Sequence, residues 1–367
     1  MKESFLIDVL KKGVSPFHCV EAAMETLEES GFEELEYARP WNLKKGKAYM
    51  MNHHGTTLYA FTVGENFRAD AMLRMAAAHT DYPYLRIKPN ADFVTDRYAQ
   101  VNVEVYGGPI LNTWFDRPLG IAGRVIVRSK DVFAPKTMLY RSGRPVLIIP
   151  NLAIHMNREV NKGVAINNQV DLMPVADMLP EEQQSTDYFL SFLAEDADYF
   201  LDFLVKELAV KKEDILDFEL NTYCVEEPAY VGIKETLLSS PRLDNQTSVA
   251  ALLAAIVEGT RTDGINLIAL FDNEEIGNTS KQGAASILLH DMVKRIYRSL
   301  GCSEEETDCA MYGGMLLSVD VAHALHPNRY YQSSGAWGWI LYQRGMFPVL
   351  CDGCKGNRNS AAALRSE

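Results

Sequence analysis

The stretch from Ile265 to Gly277 runs from an apolar segment, Ile265 to Phe271, into the adjacent carboxylates Glu274 and Glu275. Leu and Ile occupy both alternating sets of positions, so the segment reads as a strand buried on both faces, the pattern of a parallel sheet. In open α/β sheets ligands bind at the carboxyl ends of the strands, which is where this acidic pair falls. Adjacent buried carboxylates repel, and one pKa rises strongly unless a cation lies beside them. At a metal site the two divide the labour, one ligating and the other handling the proton of a water. Taken alone, the pair also fits an exposed acidic turn, and such turns are common.

Other segments end the same way. Met75 to Ala78 reads as a buried strand of small residues ending in His79, Thr80 and Asp81. In an extended chain residues i and i+2 face the same side, so Asp81 can hold one ring nitrogen of His79. A lone histidine is more commonly a satisfied core residue, and that reading stands beside the first. Gly313 to Val319 is a further apolar strand, ending in Asp320. Asp244 precedes an Ala-rich helix from Thr247 to Val257, with Thr247 or Asn245 as its cap. In a parallel sheet these ends share one edge, so His79, Asp244, Glu275 and Asp320 can converge. One imidazole with several carboxylates suits a pair of zinc-like ions about 3.5–4 Å apart. Asp244 is the candidate bridge, and Glu274 the candidate base.

The chain has 367 residues, which as a prior gives about two domains. Between them the texture changes. From about residue 91 to 231, alternating strands such as Val101 to Tyr106 are separated by turn signals, with a helical segment from Asp187 to Leu208. This region reads as a strand-rich domain inserted between residues 1–90 and 232–328 of an α/β domain. Within it His155 follows a strand and a proline, and reads as either a core or a functional residue. The pair His53 and His54, at a turn with no third partner nearby, reads as surface.

A net charge of -13 argues against nucleic acid or an anionic membrane as partner. The amino terminus shows no long apolar segment of the secretory kind, and no stretch approaches membrane-spanning length. The six cysteines are scattered, which suits reduced thiols and a cytoplasmic protein. Cys351 and Cys354 form one isolated C-x-x-C, a weak signal for redox or zinc chemistry.

Eight pieces then fall in one order: Ser15 to His18, Ala78 to Asp81, Gly107 to Pro109, Trp114 to Arg117, Asn151 to His155, Arg242 to Asn245, Asp272 to Gly277, and Asp320 to Asn328. Together they resemble the aspartyl aminopeptidase family of dinuclear zinc metallopeptidases. The resemblance implies a mostly parallel sheet flanked by helices, zinc-exopeptidase-like, with an inserted strand-rich dimerisation domain. It implies two Zn2+ ions, with His79 and Asp320 on one, Glu275 on the other and Asp244 bridging. It further implies Glu274 as general base acting on a metal-activated water, Asp81 supporting His79, and His155 reaching the active site of a neighbouring subunit to help hold the tetrahedral intermediate. The implied reaction removes N-terminal Asp or Glu from peptides, and the implied assembly is dimers building a dodecamer. The resemblance stops at Asn328. The family continues to a Gly-rich turn, an Ile-Lys pair and a late histidine for the second zinc, whereas the last histidine here is His326. The second zinc is therefore expected to lack its nitrogen ligand. Residues 329–367 are expected to be a frame-shifted reading, because the codons of Trp337 to Ile340 give Gly-x-Gly one nucleotide downstream. Two alternatives remain at this point: a truncated member acting as a metal-binding or assembly subunit, and a related dinuclear aminopeptidase of neutral specificity.

Overall fold

The computed structural model describes residues 3–179, 198–322 and 328. The tail 329–367, His323, His326, the Cys351–Cys354 pair and residues 187–197 of the expected helix lie outside the described residues.

After a first helix α1 (Glu3–Lys12), the Ser15 hydroxyl accepts the His18 backbone N–H at 3.3 Å and Pro16 opens α2 (Pro16–Glu29). The strands β1 (Glu33–Glu34), β2 (Ala48–His53), β3 (Thr57–Val63) and β4 (Arg74–His79) follow. Next come β5 (Tyr84–Thr95), β6 (Tyr98–Tyr106), β7 (Pro118–Val127), β8 (Lys136–Arg141), β9 (Leu147–Ile148), β10 (Val175–Met178), helix α3 (Tyr199–Leu208) and β11 (Ile215–Cys224). The chain closes its described part with β12 (Ala229–Val231), β13 (Leu237–Ser239), α4 (Leu243–Glu258), β14 (Ile265–Phe271), α5 (Leu288–Ser299), α6 (Glu304–Tyr312) and β15 (Met315–Ser318).

Two compact units result. One comprises Met1–Tyr82 with Glu227–Glu367, and the other Pro83–Glu226. The second unit starts at Pro83 because all of β5 joins its sheet, and ends at Glu226 because β12 pairs with β13 outside it.

The first unit is built on a six-stranded sheet of order β1-β2-β3-β14-β4-β15. β14 lies in the middle, as its apolar run demands, and every residue but Asn266 is buried. It pairs parallel to β4 and antiparallel to β3, so the sheet is mixed rather than parallel throughout. The cause is the tight turn at Gly55, which makes β2 and β3 an antiparallel hairpin and leaves β3 running against β14. Helices cover both faces. Leu267 and Phe271 pack on one side with Met292, Val293, Ile296 and Ala310 of α5 and α6. Ile268 and Leu270 pack on the other with Val20 and Leu27 of α2 and Val249, Leu253 and Ile256 of α4. Each such fully buried aliphatic side chain contributes roughly 1.5–3 kcal/mol of hydrophobic stabilisation.

The second unit is an antiparallel barrel. β11 pairs with β5 on one side and β7 on the other, closing the ring β11-β5-β6-β10-β9-β7, and β8 adds to β7. Closure satisfies the strand edges, and Leu85, Val101, Ile121, Leu220 and the α3 residues Phe200 and Leu204 fill one core. Gly123 (φ +146°) is required where β7 meets β11, because a Cβ there would lie 2.1 Å from the Glu219 carbonyl oxygen. His155 stands on an exposed turn of this unit, between Ile154 and Met156, which are also exposed.

Candidate metal centre

The register of three parallel strands in the first unit brings the acidic ends together. Phe271 of β14 lies opposite His79 of β4, and Ser318 of β15 opposite Ala77. Counting two residues on from each member of the second pair sets Asp320 level with His79. α4 departs from helical geometry at Asp244 and Asn245, which turns the Asp244 side chain toward the same point. The His79 ring is buried, with Nδ1 3.0 Å from the Asp81 carbonyl oxygen and 3.3 Å from its carboxylate. Nε2 faces Asp244 Oδ1 at 3.4 Å, Asp320 Oδ1 at 3.5 Å and Glu274 Oε2 at 4.0 Å.

Ligand atoms of His79, Asp244 and Asp320 all lie within 4.8 Å of one another. Around a tetrahedral zinc with bonds of about 2.0–2.1 Å, neighbouring ligand atoms sit about 3.3–3.4 Å apart. The two imidazole-to-carboxylate separations match that spacing. Nδ1 is also tied to an acceptor, which fixes the tautomer that leaves Nε2 free to ligate. These residues therefore fit a zinc ion.

Asp81 joins the two halves of the site. Its carboxylate is fully buried and accepts the backbone N–H of Glu274 at 3.2 Å and of Glu275 at 3.1 Å. It thereby holds the short 3-10 turn Glu274–Ile276, entered through Asn273 in the left-handed region, where asparagine is among the better-tolerated residues. Charge at the centre favours a cation. Burial opposes a protonated His79, but hydrogen bonds to Asp244, Asp320 and Asp81 raise its pKa to about 12. Burial likewise works against the Asp320 charge, and the His79 contact holds its carboxyl below the ordinary value. Burial pushes Glu275 up to about 7 and also raises Glu274, with His79 opposing both shifts.

The structure thus collects His79, Asp81, Asp244, Glu274 and Asp320, with Glu275 anchored beside them through its backbone. His155 belongs to the other unit. Neither expected helix cap acts as one. The Asn245 amide donates to the Val319 carbonyl at 3.0 Å, and the Thr247 hydroxyl bonds back to the Leu243 carbonyl at 2.7 Å. His53 is half-buried and His54 exposed, their rings in edge-on contact with centroids 4.2 Å apart. Burial lowers the His53 pKa to about 4.

A family model described as aminopeptidase I zinc metalloprotease (M18) matches residues 9–334. The chain belongs to the M18 family. It is 42% identical over 325 residues to a protein of Clostridium acetobutylicum named probable M18 family aminopeptidase 2, covering 88% of this chain and 72% of that one. It is 36% identical over 349 residues to aspartyl aminopeptidase 4 of Saccharomyces cerevisiae, covering 88% of this chain and 71% of the yeast protein. The solved dodecamer of S. cerevisiae mApe1 superposes with a TM-score of 0.72 at 26% identity, covering 94% of this chain and 75% of that one. As an M18 member this chain is a zinc-dependent aminopeptidase, a hydrolase of peptide bonds. All the residues of the centre, and the whole inserted unit, fall inside the M18 match. Among the described residues no helix is long and apolar enough to cross a membrane.

Proposed function

We propose that this aminopeptidase removes acidic residues, Asp or Glu, from peptide N-termini, with His79, Asp244, Asp320 and Glu275 holding zinc and Glu274 as general base. The carrying observation is the convergence of Asp244, Asp320 and Glu274 on His79 Nε2, at 3.4, 3.5 and 4.0 Å. Zinc, when bound, supplies a Lewis acid for the scissile carbonyl and lowers the pKa of water toward neutrality. Asp244, whose carboxylate has two oxygens, would be the residue shared between two ions. Asp81 fixes the His79 tautomer and the backbone of the Glu274–Glu275 turn. Glu274 has a partly exposed carboxylate facing the cluster. It takes the proton of the attacking water as the new C–O bond forms and passes it to the amine nitrogen as the C–N bond breaks.

Acidic specificity is supported by the yeast relative named aspartyl aminopeptidase. Assembly as dimers building a dodecamer is supported by the mApe1 dodecamer, and by exposed Ile110, Leu152, Met156 and Val170 in the inserted unit. In that assembly His155 serves the active site of a neighbouring subunit and helps hold the tetrahedral intermediate. A cytoplasmic setting fits the thiols Cys19, Cys302 and Cys309, which are free among the described residues.

The test is hydrolysis of Asp-, Glu- and Leu-terminated peptides by the zinc-loaded chain and by Glu274→Gln. Faster turnover of the acidic peptides is expected. The substitution should lower kcat about 10²–10⁴-fold while zinc stays bound. A preference for Leu would sink the acidic assignment, and retained turnover in Glu274→Gln would sink the base.

A further inference from the structure

Directly after Asp244 come two amides that are both fully buried, Asn245 and Gln246. They reach in different directions from the start of α4. Asn245 Nδ2 donates to the carbonyl of Val319 at 3.0 Å, one residue before Asp320. The Val319 N–H itself donates to the Ala77 carbonyl at 2.8 Å, so this point is already tied to β4. Gln246 Nε2 donates to the carbonyl of Thr80 at 2.9 Å, between His79 and Asp81. The Thr80 N–H in turn bonds the Phe271 carbonyl at 2.7 Å, where the acidic turn begins. Each amide bond therefore lands one residue from a candidate zinc ligand.

The other atom of each amide argues that these bonds serve more than the fold. Asn245 Oδ1 and Gln246 Oε1 are buried and have no hydrogen-bond partner among the described residues. Burying an unpartnered amide oxygen is costly, and an apolar side chain of similar shape avoids that cost. The packing is nevertheless shaped around one of them, because a Cβ on Gly13 would lie 2.6 Å from Gln246 Oε1.

We infer that Asn245 and Gln246 are positioning residues, which clamp the ends of β4 and β15 to the start of α4 and so hold His79, Asp320 and Asp244 at ligating distance. The inference rests on the zinc reading above. Supporting side chains of this kind typically change metal affinity about 10–100-fold when removed.

The experiment titrates Zn2+ into the full chain after chelator dialysis, by competition with a chromophoric chelator, and records melting of the zinc-free forms. Asn245→Leu and Gln246→Met remove the donor and the unpartnered oxygen together at similar volume. Leu252→Ala, a cavity in the buried face of α4, controls for general destabilisation. The zinc Kd of each amide variant is expected to rise about 10–100-fold, with zinc-free melting lowered no more than in Leu252→Ala. Leu252→Ala is expected to melt lower and to keep its Kd within about threefold. Amide variants whose Kd stays within about threefold overturn the inference, as does a Leu252→Ala loss of affinity equal to theirs. If a variant does not fold, Asn245→Ser and Gln246→Ala are read by the same criteria. No zinc uptake by the unaltered chain overturns the metal reading itself.

Discussion

At the scale of single residues, Asp81 ties His79 to the acidic turn. One buried carboxylate lies against His79 and accepts two backbone N–H groups from the Glu274–Glu275 turn. In Asp81→Asn one oxygen becomes an NH2 group, so one of those donors faces another donor. The buried mismatch loosens the turn and the ring together. Zinc affinity is expected to fall about 10–100-fold, read by chelator competition, and an unchanged affinity would show that Asp81 only fills space. Much of this neighbourhood was legible in the sequence. His79 and Asp320 each end an apolar strand, Asp244 opens an Ala-rich helix, and alternation alone put Asp81 beside His79. The reach of Asp81 to Glu274 was not legible, because 193 residues separate them and no local pattern records the contact. Asn245 shows the opposite failure. Its local cap signal is real, but Nδ2 donates to the Val319 carbonyl and Oδ1, the atom a cap would use, accepts no N–H among the described residues.

At the scale of elements, continuous apolar runs and turn residues gave away β14, β4 and the β2–β3 hairpin, because their burial and their turns are written locally. Strand order was hidden. Nothing in Thr57 to Val63 says that it will lie antiparallel to a strand some two hundred residues later. Helix α3 shows how far an element depends on a distant partner. Asp198 at its start makes no side-chain cap, and instead Asp92 of β5 accepts the Phe200 N–H at 2.8 Å. Burial pushes the Asp92 carboxyl up to about 6, despite that N–H. The folded pKa is thus raised above the ordinary 3.8, so the protonated form is favoured by folding. That contribution is full below the unfolded value and is lost as pH rises through about 6. Asp92→Asn keeps an oxygen for Phe200 and removes the charge. Its melting temperature relative to the unaltered chain is therefore expected to be more favourable at pH 8 than at pH 5. An equal difference at the two pH values would count against a buried charge as the cause.

At the scale of the molecule, chemistry and framework are divided between two cores. The clusters around β14 draw their residues from the unit holding His79, Asp244, Glu274 and Asp320, whereas the barrel core draws its residues from Pro83–Glu226. Ligand binding stabilises only what it binds, by RT ln(1 + [L]/Kd), or about 2.7 kcal/mol at one hundred times Kd. Zinc should therefore raise the melting of the unit that carries its ligands and leave the barrel where it was. Calorimetry of the full chain with and without zinc is expected to show two transitions, one of which moves. The Asp92→Asn substitution identifies the other, because Asp92 lies in the barrel and its effect should appear in the zinc-insensitive transition. One transition that responds as a whole to both changes would mean that the two cores unfold together. Zinc would then stabilise the barrel as much as the centre, and metal loss would weaken the surface proposed for assembly along with the site proposed for hydrolysis.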